Sequence, residues 1–204
     1  MESVVSCAAP KGRPREFDVE EALTAALRVF WQRGYEGASM SELTAEMGIA
    51  KPSLYAAFGN KEELFKKALD LYEREKLAYM TEAVKEPTSR KMAERLLLGA
   101  LELQTSSANP RGCLGVITTV SCGQEPSPIR DSVIERQKSS RNALIARLEE
   151  HKQNGDLPAD IDAEALARYM TAVMQGLSVQ SGAGASPQEL KSLVDMAMRT
   201  WPGR

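Results

Sequence analysis

The sequence predicts an all-α protein of about nine helices, with a three-helix unit at the N-terminal end and a larger helical unit after it. Three observations carry that expectation. Apolar residues recur at three- and four-residue intervals along most of the chain. Capping residues punctuate it at helix-length distances. Aromatic residues make up only 5%, while Ala, Leu, Met, Glu, Lys and Arg are plentiful, a balance that favours helix over sheet. The hydrophobic share of 43% and charged share of 26% are those of a packed globular protein. No apolar run approaches the ~20 residues that span a bilayer, so no membrane partner is expected.

Residues 1–16 read as a flexible basic arm, because Gly12 and Pro14 interrupt regular structure around Lys11, Arg13 and Arg15. Asp18 is the first good N-cap, with Glu21 at the capping-box position. Val19, Ala22, Leu23, Ala26, Leu27 and Phe30 then form one apolar face, which Gly34 ends. A second capping box, Ser39 to Glu42, opens a short helix that carries Leu43 and Met47 inward and stops at Gly48. Lys51 to Phe58 forms a third helix, with Pro52 tolerated in its first turn. Asn60 caps a fourth, whose Glu62 and Glu63 suit the positive helix end; its pattern continues to about Lys85, before Pro87.

The remainder carries more helical segments. Residues 89–105 are apolar on most sides (Met92, Leu96, Leu97, Leu98, Leu101, Leu103), as in a central helix. Residues 111–123 are ambiguous, because Val116 to Val120 prefer strand and a helix there needs tertiary override. Residues 128–154 form a long polar helix ended by Gly155, and residues 162–181 follow Asp162 as cap. The last helix opens at Ser186-Pro187-Gln188-Glu189 and buries Leu190, Leu193, Val194, Ala197 and Trp201. The expected division is an arm over 1–16, a unit over 17–63 and a second unit over 64–204.

Two short helices separated by Gly48-Ile49-Ala50 after a longer helix have the spacing of a helix-turn-helix. In that motif the first helix braces on the DNA backbone and the second lies in the major groove. With Leu54 and Phe58 facing the core, the second helix exposes Lys51, Ser53, Tyr55 and Ala56. Ser39, Ser41 and Lys61 sit at helix starts, where hydroxyls, N–H groups and the helix dipole together hold phosphate. A net charge of -2 does not oppose this reading, since a nucleic-acid face needs clustered cations, not a basic chain.

The residues Phe30, Gly34-Tyr35, Ser39-Met40-Ser41, Gly48-Ile49 and Leu54 to Glu62 resemble the DNA-binding domain of the TetR/AcrR family of regulators. The resemblance covers the first third with high specificity and extends loosely over the rest. It implies that Lys51, Pro52, Ser53 and Tyr55 face DNA and that Lys61 holds phosphate. It departs at Ala50, where Ser or Thr often caps the recognition helix, and at Ala56-Ala57, where larger residues are common. Lys11 to Arg15 resembles a minor-groove hook, which would add Arg13 and Arg15 to the DNA contacts; the plainer reading is a basic tail of nonspecific attraction. The family also implies a homodimer built on the last two helices, with Met174, Leu177, Leu190, Leu193, Val194 and Ala197 as interface candidates. It implies further an unidentified small-molecule inducer in a cavity framed by the helices between 89 and 181, and a cytoplasmic repressor on a near-palindromic operator.

Cys113, Ile117, Met170 and Met174 are the pocket or sensor candidates. The segment around Cys113 and Cys122 resembles sensor stretches in some family members, yet on one helix nine residues would separate the thiols by about 13.5 Å. A disulfide needs Cα atoms within about 7 Å, so a structural role is favoured; a Cys113 adduct, with Arg111 nearby, stays open. Three cysteines without metal spacing suit a reducing cytoplasm. His151, alone in a polar helix end, reads as solvated. No metal cluster, phosphate loop or nucleophile–base pair stands out, so neither cofactor nor catalysis is expected. The competing class is a helical ligand-binding or adaptor protein without DNA binding, which steep salt dependence of binding would exclude.

Overall fold

A computed structural model describes residues 17–121 and 127–203, and its regular elements are all helices. They are α1 (Val19–Gly37), α2 (Met40–Glu46), α3 (Lys51–Phe58), α4 (Lys61–Lys76), α5 (Ala78–Ala83), α6 (Ser89–Thr105), α7 (Leu114–Ser121), α8 (Pro128–Gln153), α9 (Ala163–Gly182) and α10 (Pro187–Arg199). The basic arm with Arg13 and Arg15, and Cys122, lie outside the described residues.

Side-chain caps set most helix starts. Asp18 accepts hydrogen bonds from the Glu20 and Glu21 amides, and Asp162 from those of Glu164 and Ala165. Asn60 with Glu63, and Ser186 with Glu189, form complete reciprocal capping boxes. At α2 the box is half made: Ser39 accepts from the Glu42 amide, while the Glu42 carboxylate turns to Arg33 at 3.2 Å. Helical geometry breaks at Gly34, where φ is 71°, and α1 resumes only to Gly37. Gly48, at φ 65°, makes the left-handed turn within the four residues that separate α2 from α3.

Among the described residues ten helices replace the expected nine because the fourth divides at Leu77. There the backbone leaves helical geometry (φ -105°, ψ 8°) and α5 turns to pack on α6. Tyr79 causes the close approach: its ring lies where a Cβ on Gly99 would overlap it. Within the ambiguous 111–123 stretch Leu114–Ser121 is helical as α7, its β-branched residues overridden by packing. Leu114 and Thr118 are fully buried there, and the Thr119 hydroxyl donates to the Gly115 and Val116 carbonyls of its own helix.

Two hydrophobic cores share the work. The first joins α1 to α4 with Leu103, Leu114, Ile129 and Val133 of the following helices. Its centre is aromatic: Phe30 meets Phe65 edge-on at 5.0 Å between ring centroids, and Trp31 meets Tyr72 at 4.8 Å. Such pairs contribute about 0.5–1.5 kcal/mol each beyond area burial. The second core holds α6, α8, α9 and α10 together through Met92, Leu97, Leu148, Met170, Leu177 and Leu190. The N-terminal unit is therefore continuous with the bundle through α4 and α7.

His151 is buried, not solvated. Its ring is 1% exposed, with Nδ1 3.4 Å from the Asp156 carboxylate, whose same oxygen accepts the Ser89 amide at 2.6 Å. Burial, assisted by the Arg147 guanidinium, holds the imidazole below its ordinary range against the opposing pull of Asp156 and Glu150. Gly155, at φ 74°, folds Asp156 back over the end of α8.

Candidate nucleic-acid interface and regulatory cavity

The recognition face starts from two anchors. Leu54 is 0% exposed and Phe58 1%, so the opposite side of α3 must face outward. There Lys51, Pro52 and Ala56 are exposed, Ser53 is half-buried, and Tyr55 is 47% exposed. No acidic residue occurs in α3, and Lys51 stands in its first turn. Ala50 caps α3 without a side-chain hydrogen bond, leaving the amides of the first turn open toward the same side.

Ser39 and Ser41 lie exposed at the start of α2, their hydroxyls 3.0 Å apart. Lys61 is half-buried at the start of α4, its ammonium 4.5 Å above the Tyr35 ring. Burial there draws Lys61 below the usual ammonium range, against the raising influence of Glu36. Behind this face Lys67 donates to the Phe58 carbonyl, tying the end of α3 to α4. Hydroxyl and ammonium donors of the kinds that hold phosphate thus stand at the starts of α2, α3 and α4: Ser39 and Ser41, Lys51, and Lys61.

A second site lies in the bundle. A cavity of about 360 Å³ opens between α4, α5, α6, α7, α8 and α9, within the size range of small-molecule pockets. Leu69, Leu77, Met80, Leu96, Ala100, Leu103, Val116 and Met174 give it mainly apolar walls. Of the pocket candidates, Cys113 and Met174 line it. Ile117 and Met170 do not: Ile117 packs into the N-terminal core and Met170 is fully buried in the second. Sequence periodicity marks both as apolar but cannot choose between core and cavity.

Four lining residues had not been singled out: Tyr72, Tyr79, Gln104 and Arg136. Arg136 of α8 bridges to Asp70 at 2.6 Å and to Glu73 at 2.7 Å on α4, clamping one wall. Tyr72 donates its hydroxyl to the Cys113 sulfur at 3.3 Å, and burial, with Cys113 adding to it, pushes the phenol well above its ordinary range. Only the i, i+7 spacing of Tyr72 and Tyr79 hinted at a shared wall, and the turn at Leu77 removes even that regularity.

Beside the cavity, the Gly112 peptide links three parts of the fold. Its carbonyl accepts the Trp31 indole N–H of α1 at 2.8 Å, and its N–H donates to Gln104 Oε1 of α6 at 3.1 Å. The backbone carbonyl of Gln104 in turn accepts the Ser181 hydroxyl of α9 at 3.1 Å. Gly112 adopts φ 90°, and a Cβ there would meet Ile117 Cδ1 at 3.1 Å, so this peptide requires glycine.

The interface candidates on the last helices need correcting. Leu177 is 0% exposed, Leu190 1%, Val194 2% and Ala197 3% within one protomer; they are already spent on the protomer's own core. Leu193 is half-buried against that core, and Met174 faces the cavity. The outward side of α9 instead carries Ala165, Tyr169, Ala172, Val179 and Ala183, with Gly176 half-buried among them. On α10, Met196 is 60% exposed.

Together these features define a helix-turn-helix regulator whose DNA-reading unit shares its core with a cavity-bearing helical domain. The comparisons place it further. Residues 22–68 match the family described as bacterial regulatory proteins, tetR family, and residues 94–201 match the tetracyclin repressor-like C-terminal domain. The chain belongs to the TetR family of transcriptional regulators, which are not enzymes. It is 30% identical over 194 residues to the HTH-type transcriptional repressor ComR of Escherichia coli, covering 94% of this chain and 92% of that one. It is also 30% identical over 189 residues to the repressor BdcR of the same organism, covering 91% and 90%. Among solved structures, it matches a cysteine-substituted TetR family regulator, CifR, complexed with 26-bp double-strand operator DNA. That match has 40% identity and a TM-score of 0.87 over 93% of this chain and 100% of the other. Among the described residues, no helix is long and apolar enough to cross a membrane.

Proposed function

We propose that the protein is a homodimeric repressor of the cytoplasm, bound to a near-palindromic operator and released by a small-molecule or reactive inducer in its cavity. The observation that carries the reading is α3: an outward face with Lys51 and Tyr55 and no acid, held by Leu54 and Phe58 at 0% and 1% exposure. Lys51, Ser53 and Tyr55 meet bases or phosphates in the major groove, with Pro52 against the backbone. Ser39, Ser41 and Lys61 hold phosphates, and Arg13 and Arg15 extend the contact along the minor groove. Relatives named as repressors and the operator complex of CifR support this assignment.

The dimer forms across α9 and α10. Ala165, Tyr169, Ala172, Gly176, Val179 and Ala183 follow alternating four- and three-residue steps, the repeat of a close-packed helix seam. Small residues in that stripe allow close approach, and Met196 adds apolar area from α10. Two-fold pairing then sets two recognition helices at one duplex, which is why the operator should be a near-palindrome. Ligand occupancy of the cavity, or an adduct on the Cys113 thiol, acts on DNA affinity through the Gly112 peptide, because Trp31 belongs to α1 of the DNA-reading unit. Release requires that the inducer bind the non-competent state more tightly.

A mobility-shift titration against promoter fragments tests the assignment. Lys51→Ala and Tyr55→Ala should each weaken specific binding by about tenfold, in line with ~1–3 kcal/mol per specific contact. Lys51→Ala should also flatten the salt dependence by about one counterion. Unchanged affinity and specificity in both variants would remove the recognition helix from the mechanism.

A further inference from the structure

The cavity's polar groups narrow the class of molecule that fits it, given the reading that the cavity is the inducer site. Most of its wall is apolar, and its polar atoms divide into those already engaged and those left open. Arg136 is engaged by Asp70 and Glu73, so neither that cation nor Glu73 is available to a ligand. The Tyr72 hydroxyl is engaged by Cys113. Gln104 is 7% exposed, and its Oε1 is fixed by the Gly112 N–H. Its Nε2 makes no hydrogen bond among the described residues, and Gln104 lines the cavity. The Tyr79 hydroxyl likewise makes no hydrogen bond among the described residues, and Tyr79 lines the same cavity, with Cys113 near enough to act on its phenol. Burial pushes the Tyr79 phenol well above its ordinary range, so it stays protonated and able to donate.

Two uncharged donors in an apolar chamber call for an acceptor without a full charge. A carboxylate seated on those two donors would be desolvated, with Arg136 already spent on Asp70 and Glu73 and only Arg141 left in the lining to compensate it. An ammonium would find no free carboxylate. We infer that the cavity takes an uncharged, mainly apolar small molecule bearing a hydrogen-bond-accepting oxygen, seated on Tyr79 Oη and Gln104 Nε2 beside the Cys113 thiol. The competing class is an amphiphilic anion held by Arg141, the lining cation with no carboxylate partner among the described residues.

Calorimetric titration of the full-length protein with 2-octanone, octanoate and octylamine separates the classes at matched chain length. The ketone should bind, with the two charged probes on the order of tenfold or more weaker. Tyr79→Phe keeps the ring that fills the space over Gly99 and should weaken the ketone about fivefold, the size of one hydrogen bond. Tighter binding of octanoate, lost in Arg141→Ala, would overturn the class while leaving the cavity as the inducer site. Unaltered ketone affinity in Tyr79→Phe would also overturn it. If all three probes bind a cavity-filled Ala100→Phe chain as they bind the native one, or none gives heat at millimolar concentration, the inducer-site reading fails along with the class.

Discussion

Replacing Trp31 with Phe tests whether the Gly112 peptide joins the DNA-reading unit to the cavity. The substitution keeps an aromatic ring against Tyr72, now 4.8 Å from the indole, but removes the N–H that Gly112 accepts at 2.8 Å. Trp31 is 1% exposed, so water cannot replace the donor without reorganisation. A buried carbonyl left unsatisfied costs about 1–3 kcal/mol. The smaller ring leaves a void of roughly 40 Å³, which at about 24 cal/mol per Å³ adds near 1 kcal/mol. The expected loss is therefore about 2–4 kcal/mol. Urea denaturation at a fixed protomer concentration reads it, since dimerisation makes apparent stability concentration-dependent. Gln104→Leu removes the acceptor on the other side of the same peptide, so the two substitutions should be non-additive by about 0.5–3 kcal/mol in a double-mutant cycle. A single-variant loss under about 0.5 kcal/mol, or strict additivity of the pair, would show that Gly112 is not a shared link.

Three further outcomes follow from particular residues. Ala50→Ser supplies the side-chain cap that α3 lacks and should raise stability by about 1 kcal/mol, or about 2–4 °C in thermal midpoint. Val179→Glu places a charge on the outward stripe of α9, at a position 57% exposed in the protomer; light scattering should show dissociation to monomers and operator binding should fall with it. For His151, the folded imidazole titrates below the ordinary value of 6.5, so between the two values the unfolded chain binds more protons. Stability should therefore be level above about pH 6.5 and fall as the pH drops through that window, a slope that His151→Leu abolishes in thermal melts. Glu82 and Glu189, whose carboxyls are also held low, lose their contribution only below their ordinary value of 4.5, so the windows separate.

Local signals made much of the fold legible. Asp18, Ser39, Asn60, Asp162 and Ser186 each fix a helix start within the residue itself and its next three neighbours, so no knowledge of distant chain was needed. The recognition face was legible for the same reason: two apolar positions four apart on a short helix determine which side remains outside. The division of α4 from α5 was not. Neither glycine nor proline stands at Leu77, and the turn follows from Tyr79 meeting Gly99, twenty residues away in α6.

The misplaced interface residues show what periodicity withholds. On α9 the stripe of Ala163, Ala167, Met170 and Leu177 and the stripe of Ala165, Tyr169, Ala172 and Val179 are both apolar at helical spacing. The pattern states that two faces want cover, not which one the chain itself supplies. Size does not separate them either, since Ala163 and Ala167 go to the protomer's core while Tyr169 and Val179 stay outside; the choice is made by where α6, α8 and α10 pack. His151 illustrates the same limit from the polar side. Its sequence neighbours are charged and solvated, but its partner Asp156 returns past Gly155 and is held there by the Ser89 amide, sixty-odd residues before His151. Position-specific chemistry that depends on such returns emerges only when the chain is folded, whereas the DNA-reading helix carries its own instructions.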